Sequence, residues 1–411
     1  MSYFDKTILL LSALFLLHRS PYLGVRYPSI IYAAIVILLF VLLIIQFDKG
    51  KKPIRFLFPF MSLVFLDFLC YDLSNIKNGI DLLRTISICM QIIIYPLLSG
   101  YIIYKQKYKY GLFLLLFFLS IEFTTYVSSI IAENSFPGII RLNPGQLLEN
   151  DASMYSIKTG LNVGNFDTVY GCTVMIPIMA LGIKYRRQLF ANKMSVIFLY
   201  IYFALSIYFV FVSQFTTALI GMVIMLFSLF LGKSITLSGF KRFILVLILG
   251  CAILWFSLPY ALHYVADKIE SPIVAERFEG LSNLLEGDSV SGSDDIDERN
   301  RVYSKSLSII KETSCIGTWG QKETGGHSFF LDTVAKYGLI GILLLIVYYK
   351  GLVRLIIRPY QKNSFRFYYV FGLIGTTFFY ILNPSELFPQ LLFCYPISAY
   401  IVYTKFGGKA L

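Results

Sequence analysis

Apolar residues dominate the chain in blocks rather than in a scatter. Eleven long apolar stretches run at 30–47, 56–70, 85–104, 111–132, 168–183, 194–212, 214–232, 243–262, 328–349, 367–382 and 389–403, and a shorter one at 7–18 opens the series. Stretches of about 17–25 apolar residues are long enough to cross a bilayer as helices. Backbone groups in lipid must be bonded internally, which selects helices, and a membrane barrel would show alternating polarity that these stretches lack. The pattern predicts an all-α integral membrane protein with about twelve transmembrane helices, folded as a single polytopic domain over 1–411. The first stretch is expected to persist as a span: Phe4–Leu17 offers no small-residue cleavage site and runs into Arg19-Ser20-Pro21. Two longer polar intervals stand out, at about 133–165 and 263–327. No repeat of one half by the other is visible, which weighs against folds built from matched halves.

Composition and charge sharpen this picture. The chain is 57% hydrophobic and 15% charged, outside the globular norm in both respects. If twelve spans alternate, one set of short loops holds 22 of the 36 basic residues, among them Lys52, Lys107, Arg187 and Lys362, and only Asp5 and Asp48 as acids. Positive charge favours the cytoplasmic side. Both termini are therefore expected in the cytoplasm of a multi-pass protein of the cytoplasmic (inner) membrane, and the two polar intervals become extracytoplasmic loops. The net charge of +12 is then a topology signal rather than a footprint for nucleic acid. Five of six cysteines fall inside spans and only Cys315 in an outer loop, so no disulfide framework is expected. The three histidines are far apart, and Asp295-x-Asp297 sits in an acidic, Ser/Gly-rich stretch where such spacing arises by chance; no metal and no cofactor is expected.

The outer loops carry the candidate chemistry. The second begins with helix-like spacing over 264–284, continues through an acidic stretch at 285–298, regains helical spacing over 299–312, and ends in a turn with Gly317, Gly320, Gly325 and Gly326. Arg141 in the first loop and Arg299 and Arg301 in the second have guanidinium forks suited to phosphate oxygens; pairing with Asp295, Asp297 and Glu298, or with lipid phosphates, is the plainer role. His327 opens the apolar stretch after the second loop, and an imidazole titrates near neutrality, as proton transfer requires. Asp332 and Lys336, four apart just beyond it, are expected to support that helix. Asp81 with Arg84, and Asp67, Glu122 and Asp167, lie in or near spans, where charges need partners. His18 and His263 read as structural.

The order Arg299, Tyr303, KETSCIG (311–317) and GGHSFFLDTVAKYGLIG (325–341) resembles the superfamily of O-antigen polymerases and O-antigen ligases. Ser314 stands where those proteins often carry proline, and QFTTALIG (214–221) lacks an arginine common there. Either Arg299 or Arg301 fits the spacing to the turn. The resemblance implies metal-independent glycosyl transfer from a polyprenyl diphosphate at the outer face of the membrane. His327 would accept the acceptor hydroxyl's proton, and Arg141 with Arg299 or Arg301 would bind the diphosphate. It implies as partners a polyprenyl-diphosphate-linked oligosaccharide, membrane lipids, and a chain-length regulator and flippase of the same pathway. The leading expectation is a repeat-unit polymerase for O-antigen or capsule. The alternatives are an O-antigen ligase acting on lipid A core, and a flippase or transporter of lipid-linked oligosaccharide.

Overall fold

The structure, a computed structural model, describes residues 3–20, 29–47, 53–72, 79–135, 139–140, 163–190, 192–231, 236–268, 279, 282, 294–313, 316–360, 364–383 and 389–406. The described elements are all helical: α1 Tyr3–Leu17, α2 Ser29–Phe47, α3 Pro53–Asp67, α4 Gly79–Tyr104, α5 Tyr108–Ser135, α6 Phe166–Lys184, α7 Lys193–Ser213, α8 Thr216–Leu226, α9 Leu237–Ala266, α10 Asp294–Glu312, α11 Phe329–Leu352, α12 Arg366–Leu382 and α13 Tyr395–Lys405. Each apolar stretch of the sequence falls on one of these helices or its short π or 3-10 extension. Among the described residues, α5, α6, α7 and α11 with its extension are long and apolar enough to cross a bilayer, and five further apolar helices are shorter. The protein is a helical membrane protein.

Packing inverts the usual relation between apolarity and burial. The stretch of α6 is 78% buried inside the protein, whereas that of α7, an almost unbroken row of large apolar residues, is 22% buried. Lipid is as apolar as a protein core, so a strongly apolar helix gains little by being covered. The central helix is instead the one rich in small side chains. Gly171, Cys172 and Thr173 are buried, and Gly182 packs on Leu199 of α7. Around α6 stand α7, α8 and α12, with α5 against α7 and α13 against α5.

Side-chain contacts set the relative directions of neighbouring helices. Asp5 meets Lys107 near the start of α5, and Arg19 meets Glu122 in its middle, so α1 and α5 run parallel. Asp67 at the end of α3 meets Lys336 near the start of α11, while Gly351 at the end of α11 abuts Pro59, so these two are antiparallel. Tyr170 contacts Phe379, and Tyr185 contacts Tyr368, which makes α6 and α12 antiparallel.

Backbone breaks are satisfied by distant side chains. Pro396 has no N–H to offer the carbonyl one turn earlier, and the chain there passes through a π turn at Gln390–Cys394. Ser99 of α4 fills the gap, its Oγ donating to Leu392 O at 2.6 Å.

Candidate functional site

The second polar interval folds onto one end of the bundle through α10. This helix is amphipathic, with Ser306 and Ile309 buried and Val302 and Tyr303 half-buried, while Arg301, Lys305, Ser308 and Lys311 face out. Tyr303 Oη donates to Leu382 O at 2.6 Å, fastening α10 to the end of α12. Ser306 Oγ accepts from Gly325 N at 2.9 Å and donates to Asp332 Oδ1 at 2.6 Å, fastening it to the glycine turn and to α11. Glycine at 325 is a steric requirement, since a Cβ there would lie 2.0 Å from Val302 O.

Asp332 is the hub. Its Oδ1 also accepts from Gly326 N at 3.2 Å, and its Oδ2 from Ser328 N at 2.9 Å. The residues on either side of His327 thus donate their N–H groups to one buried carboxylate. The backbone of His327 is clamped while the residue itself is exposed. Ser328 caps α11, accepting from Leu331 N. A carboxylate already occupies the positive end of this helix, so a bound phosphate would be held by side-chain cations rather than by the helix terminus.

A break in α11 anchors the other end of the turn. Gly338 adopts φ 56° and ψ −136° within the helix, a conformation open essentially to glycine. The carbonyls just before the break, Ala335 O and Lys336 O, accept from Thr318 N at 3.1 Å and Trp319 N at 3.0 Å. Gly317 lies directly on the break, where a Cβ would come within 2.6 Å of Gly338 N and Lys336 O. The Gly-Leu-Ile-Gly at 338–341 therefore has a physical reason: the first glycine turns the chain, and the last leaves room for Thr333 O. Below this, Asp67 accepts from Lys336 Nζ at 2.8 Å and Tyr337 Oη at 2.6 Å.

Of the residues predicted from sequence, His327, Arg301, Asp332 and Lys336 are gathered on α10, the glycine turn and the first turns of α11. Lys336 does its bracing through Asp67 of α3, and Asp332 does its own through Ser306 and the backbone. Arg299 lies one turn before Tyr303 on α10, with no described side chain. Arg141, Asp295 with Asp297, and Asp81 with Arg84 fall outside the described residues or their described side chains. His18 stacks on Tyr32 with ring centroids 3.8 Å apart.

Sequence reasoning missed Ser306 and Asn383. Asn383, at the end of α12, accepts from Phe329 N through its backbone carbonyl and from Tyr170 Oη at 3.2 Å through its side chain. It joins α11 and α6 beside the turn that bears His327. A lone polar residue at a helix end carries no periodic signal. Arg19 was also passed over. It pairs with Glu122, Nε lying 3.6 Å from Oε1, beside Tyr95; the signal was Glu122 itself, an acid within an apolar stretch that demands a partner.

Neither a protein-family model nor a curated protein matches this chain, so its functional reading rests on the residues of this site.

Proposed function

We propose that the protein is a polysaccharide repeat-unit polymerase. It would transfer a growing glycan from one polyprenyl diphosphate to a sugar hydroxyl of another lipid-linked unit at the outer face of the cytoplasmic membrane. The observation that carries this reading is the clamped, exposed His327 at the junction of a basic amphipathic helix and an apolar one. The helix directions in the packed pairs agree with the alternation that twelve spans require, and the grouping of basic residues in one set of loops supports both termini being cytoplasmic. In that arrangement α10 and the glycine turn lie outside, where a lipid-linked donor presents its headgroup.

The chemistry follows from the side chains. The acceptor hydroxyl loses its proton to the neutral imidazole of His327 as its oxygen bonds to the anomeric carbon. The bond from that carbon to the diphosphate oxygen breaks, and the negative charge grows on the leaving diphosphate. Guanidinium groups stabilise that charge without a metal. Arg299 or Arg301 on α10 is the loop arginine for this role; Arg301 is exposed to solvent. An O-antigen ligase would use the same residues with a different acceptor.

A second reading, a flippase for lipid-linked oligosaccharide, has one observation in its favour. Arg19 and Glu122 form an ion pair within the bundle, a feature found along transport paths. Purified protein given a synthetic polyprenyl-diphosphate oligosaccharide distinguishes the two. Longer lipid-linked products establish the polymerase, whereas movement of the labelled lipid between leaflets without elongation establishes the flippase.

A further inference from the structure

Helices α10, α11 and α12 meet beside His327, and each pair of them is tied by a hydrogen bond. Helix α12 ends at Leu382, so its last carbonyls find no acceptor role within the helix. Asn383 leaves it in extended backbone, with φ −145° and ψ 154°. Consecutive carbonyls at this end then serve other helices. Leu382 O takes the Tyr303 hydroxyl of α10 at 2.6 Å, and Asn383 O takes Phe329 N of α11 at 3.3 Å. Phe329 N is itself a first-turn donor that its own helix cannot satisfy. The third side closes between α10 and α11, where Ser306 Oγ donates to Asp332 Oδ1 at 2.6 Å.

The arm that carries His327 needs such ties. The chain reverses at Gly338: the Phe329 and Tyr348 ring centroids are 6.3 Å apart, and those of Phe330 and Tyr349 5.9 Å. The arm from Phe329 to Tyr337 is therefore short and doubled back, and helix continuity does not hold its start. A single bond between two helices fixes a distance and leaves a hinge. Tyr303 and Ser306 lie on one face of α10, so α12 and α11 grip that helix at two points and fix its direction. The α12 corner is braced in turn. Tyr170 of α6 donates to Asn383 Oδ1 at 3.2 Å, and the Phe329 ring packs on Tyr380 with centroids 4.7 Å apart.

The two halves of the candidate site stand on different sides of this triangle. The cations are on α10, and the imidazole is at the start of α11; Arg301 and His327 are both exposed. Transfer needs base and cations at one spacing, and a misplacement of about 1 Å can cost about 100-fold in rate. We propose that the triangle sets that spacing, and that Tyr303 is a positioning residue. Its hydroxyl proton is spent on Leu382 O, so it acts through the end of α12 and not on substrate. This assignment rests on the polymerase reading for its role, though not for its geometry.

The test compares two phenylalanine variants of the full chain in nanodiscs. Tyr303→Phe deletes the hydroxyl that holds Leu382 O. Tyr368→Phe deletes a hydroxyl that donates to Leu231 O at 2.9 Å, the same kind of bond at the other end of α12. Both variants should unfold at lower temperature, and only the first should lose turnover. Tyr303→Phe should lose about ten- to hundredfold in kcat with KM for the lipid-linked donor unchanged. Placed on His327→Ala it should cost nothing further, since no base is left to position. An unchanged kcat, a kcat loss shared by Tyr368→Phe, or the full loss repeated on His327→Ala overturns the assignment. Nitroxides at the exposed Lys305 and Ile381 report the spacing of α10 and α12 by pulsed EPR without substrate. Their distance distribution should broaden in Tyr303→Phe; an unchanged distribution overturns the triangle whichever reaction the protein performs. If wild type forms no product while the distribution still broadens in the variant, the polymerase reading fails and the triangle stands.

Discussion

His327 and Asp332 divide the work of the candidate site, one exposed and one buried. Proton acceptance by a placed base contributes about 100- to 10,000-fold in rate, so His327→Ala should lose nearly all elongation in single-turnover assays while donor binding persists. His327→Gln keeps a hydrogen-bonding group but cannot take up the proton, and should fail equally. Elongation by His327→Gln at the wild-type rate would reduce His327 to a positioning group. Asp332 is tested through stability as well as activity. Asp332→Asn puts an amide donor against the N–H of Ser328 or Gly326, both of which now donate to a carboxylate. A buried donor left unpaired costs about 1–3 kcal/mol, so the variant should unfold at lower temperature in detergent and lose elongation in step with His327→Ala. From sequence, Asp332 was legible only as a helical neighbour of His327. Its partner Ser306 lies 26 residues away on another helix, and nothing in the local pattern announces that bond.

Among the elements, α11 joins chemistry to scaffold. Apolar periodicity predicts one continuous helix over 328–349, whereas the structure breaks it at Gly338 and fills the freed carbonyls from the 318–319 backbone. The reason is steric: only glycine holds that φ and ψ, and only glycine at 317 lets the turn lie on the break. Gly338→Ala should cost about 1–3 kcal/mol of stability and displace the turn. Hydrogen exchange should then speed up at Thr318 and Trp319; unchanged protection there would mean that the break is not what anchors the turn. Ser99 offers a quieter case. Ser99→Ala leaves Leu392 O without its donor, and a loss of about 1–3 kcal/mol in thermal unfolding is expected, with elongation unaffected.

For the whole molecule, the helix directions and the basic loops make one joint prediction. Single cysteines replacing Lys52, Lys107, Arg187 and Lys362 should resist an impermeant thiol reagent in intact cells, and a cysteine replacing Lys305 or Lys322 should react. Labelling at any of the first four positions would overturn the twelve-span arrangement.

The sequence by itself determined the class of the protein, the position of its helices and the grouping of its basic residues. These are local or additive properties: apolar length settles whether a segment is at home in lipid, and charge counts sum along loops. It also marked His327 and the glycines around it, because turns and helix starts leave short-range signatures. Only the tertiary structure decided which helix sits at the centre, since apolarity does not report burial when lipid competes with the core. Only it paired Asp67 with Lys336 across 269 residues and Arg19 with Glu122 inside the bundle. A charge in an apolar stretch states that a partner must exist; which one it finds depends on helices that meet in space, and the chain order of those helices does not contain that information.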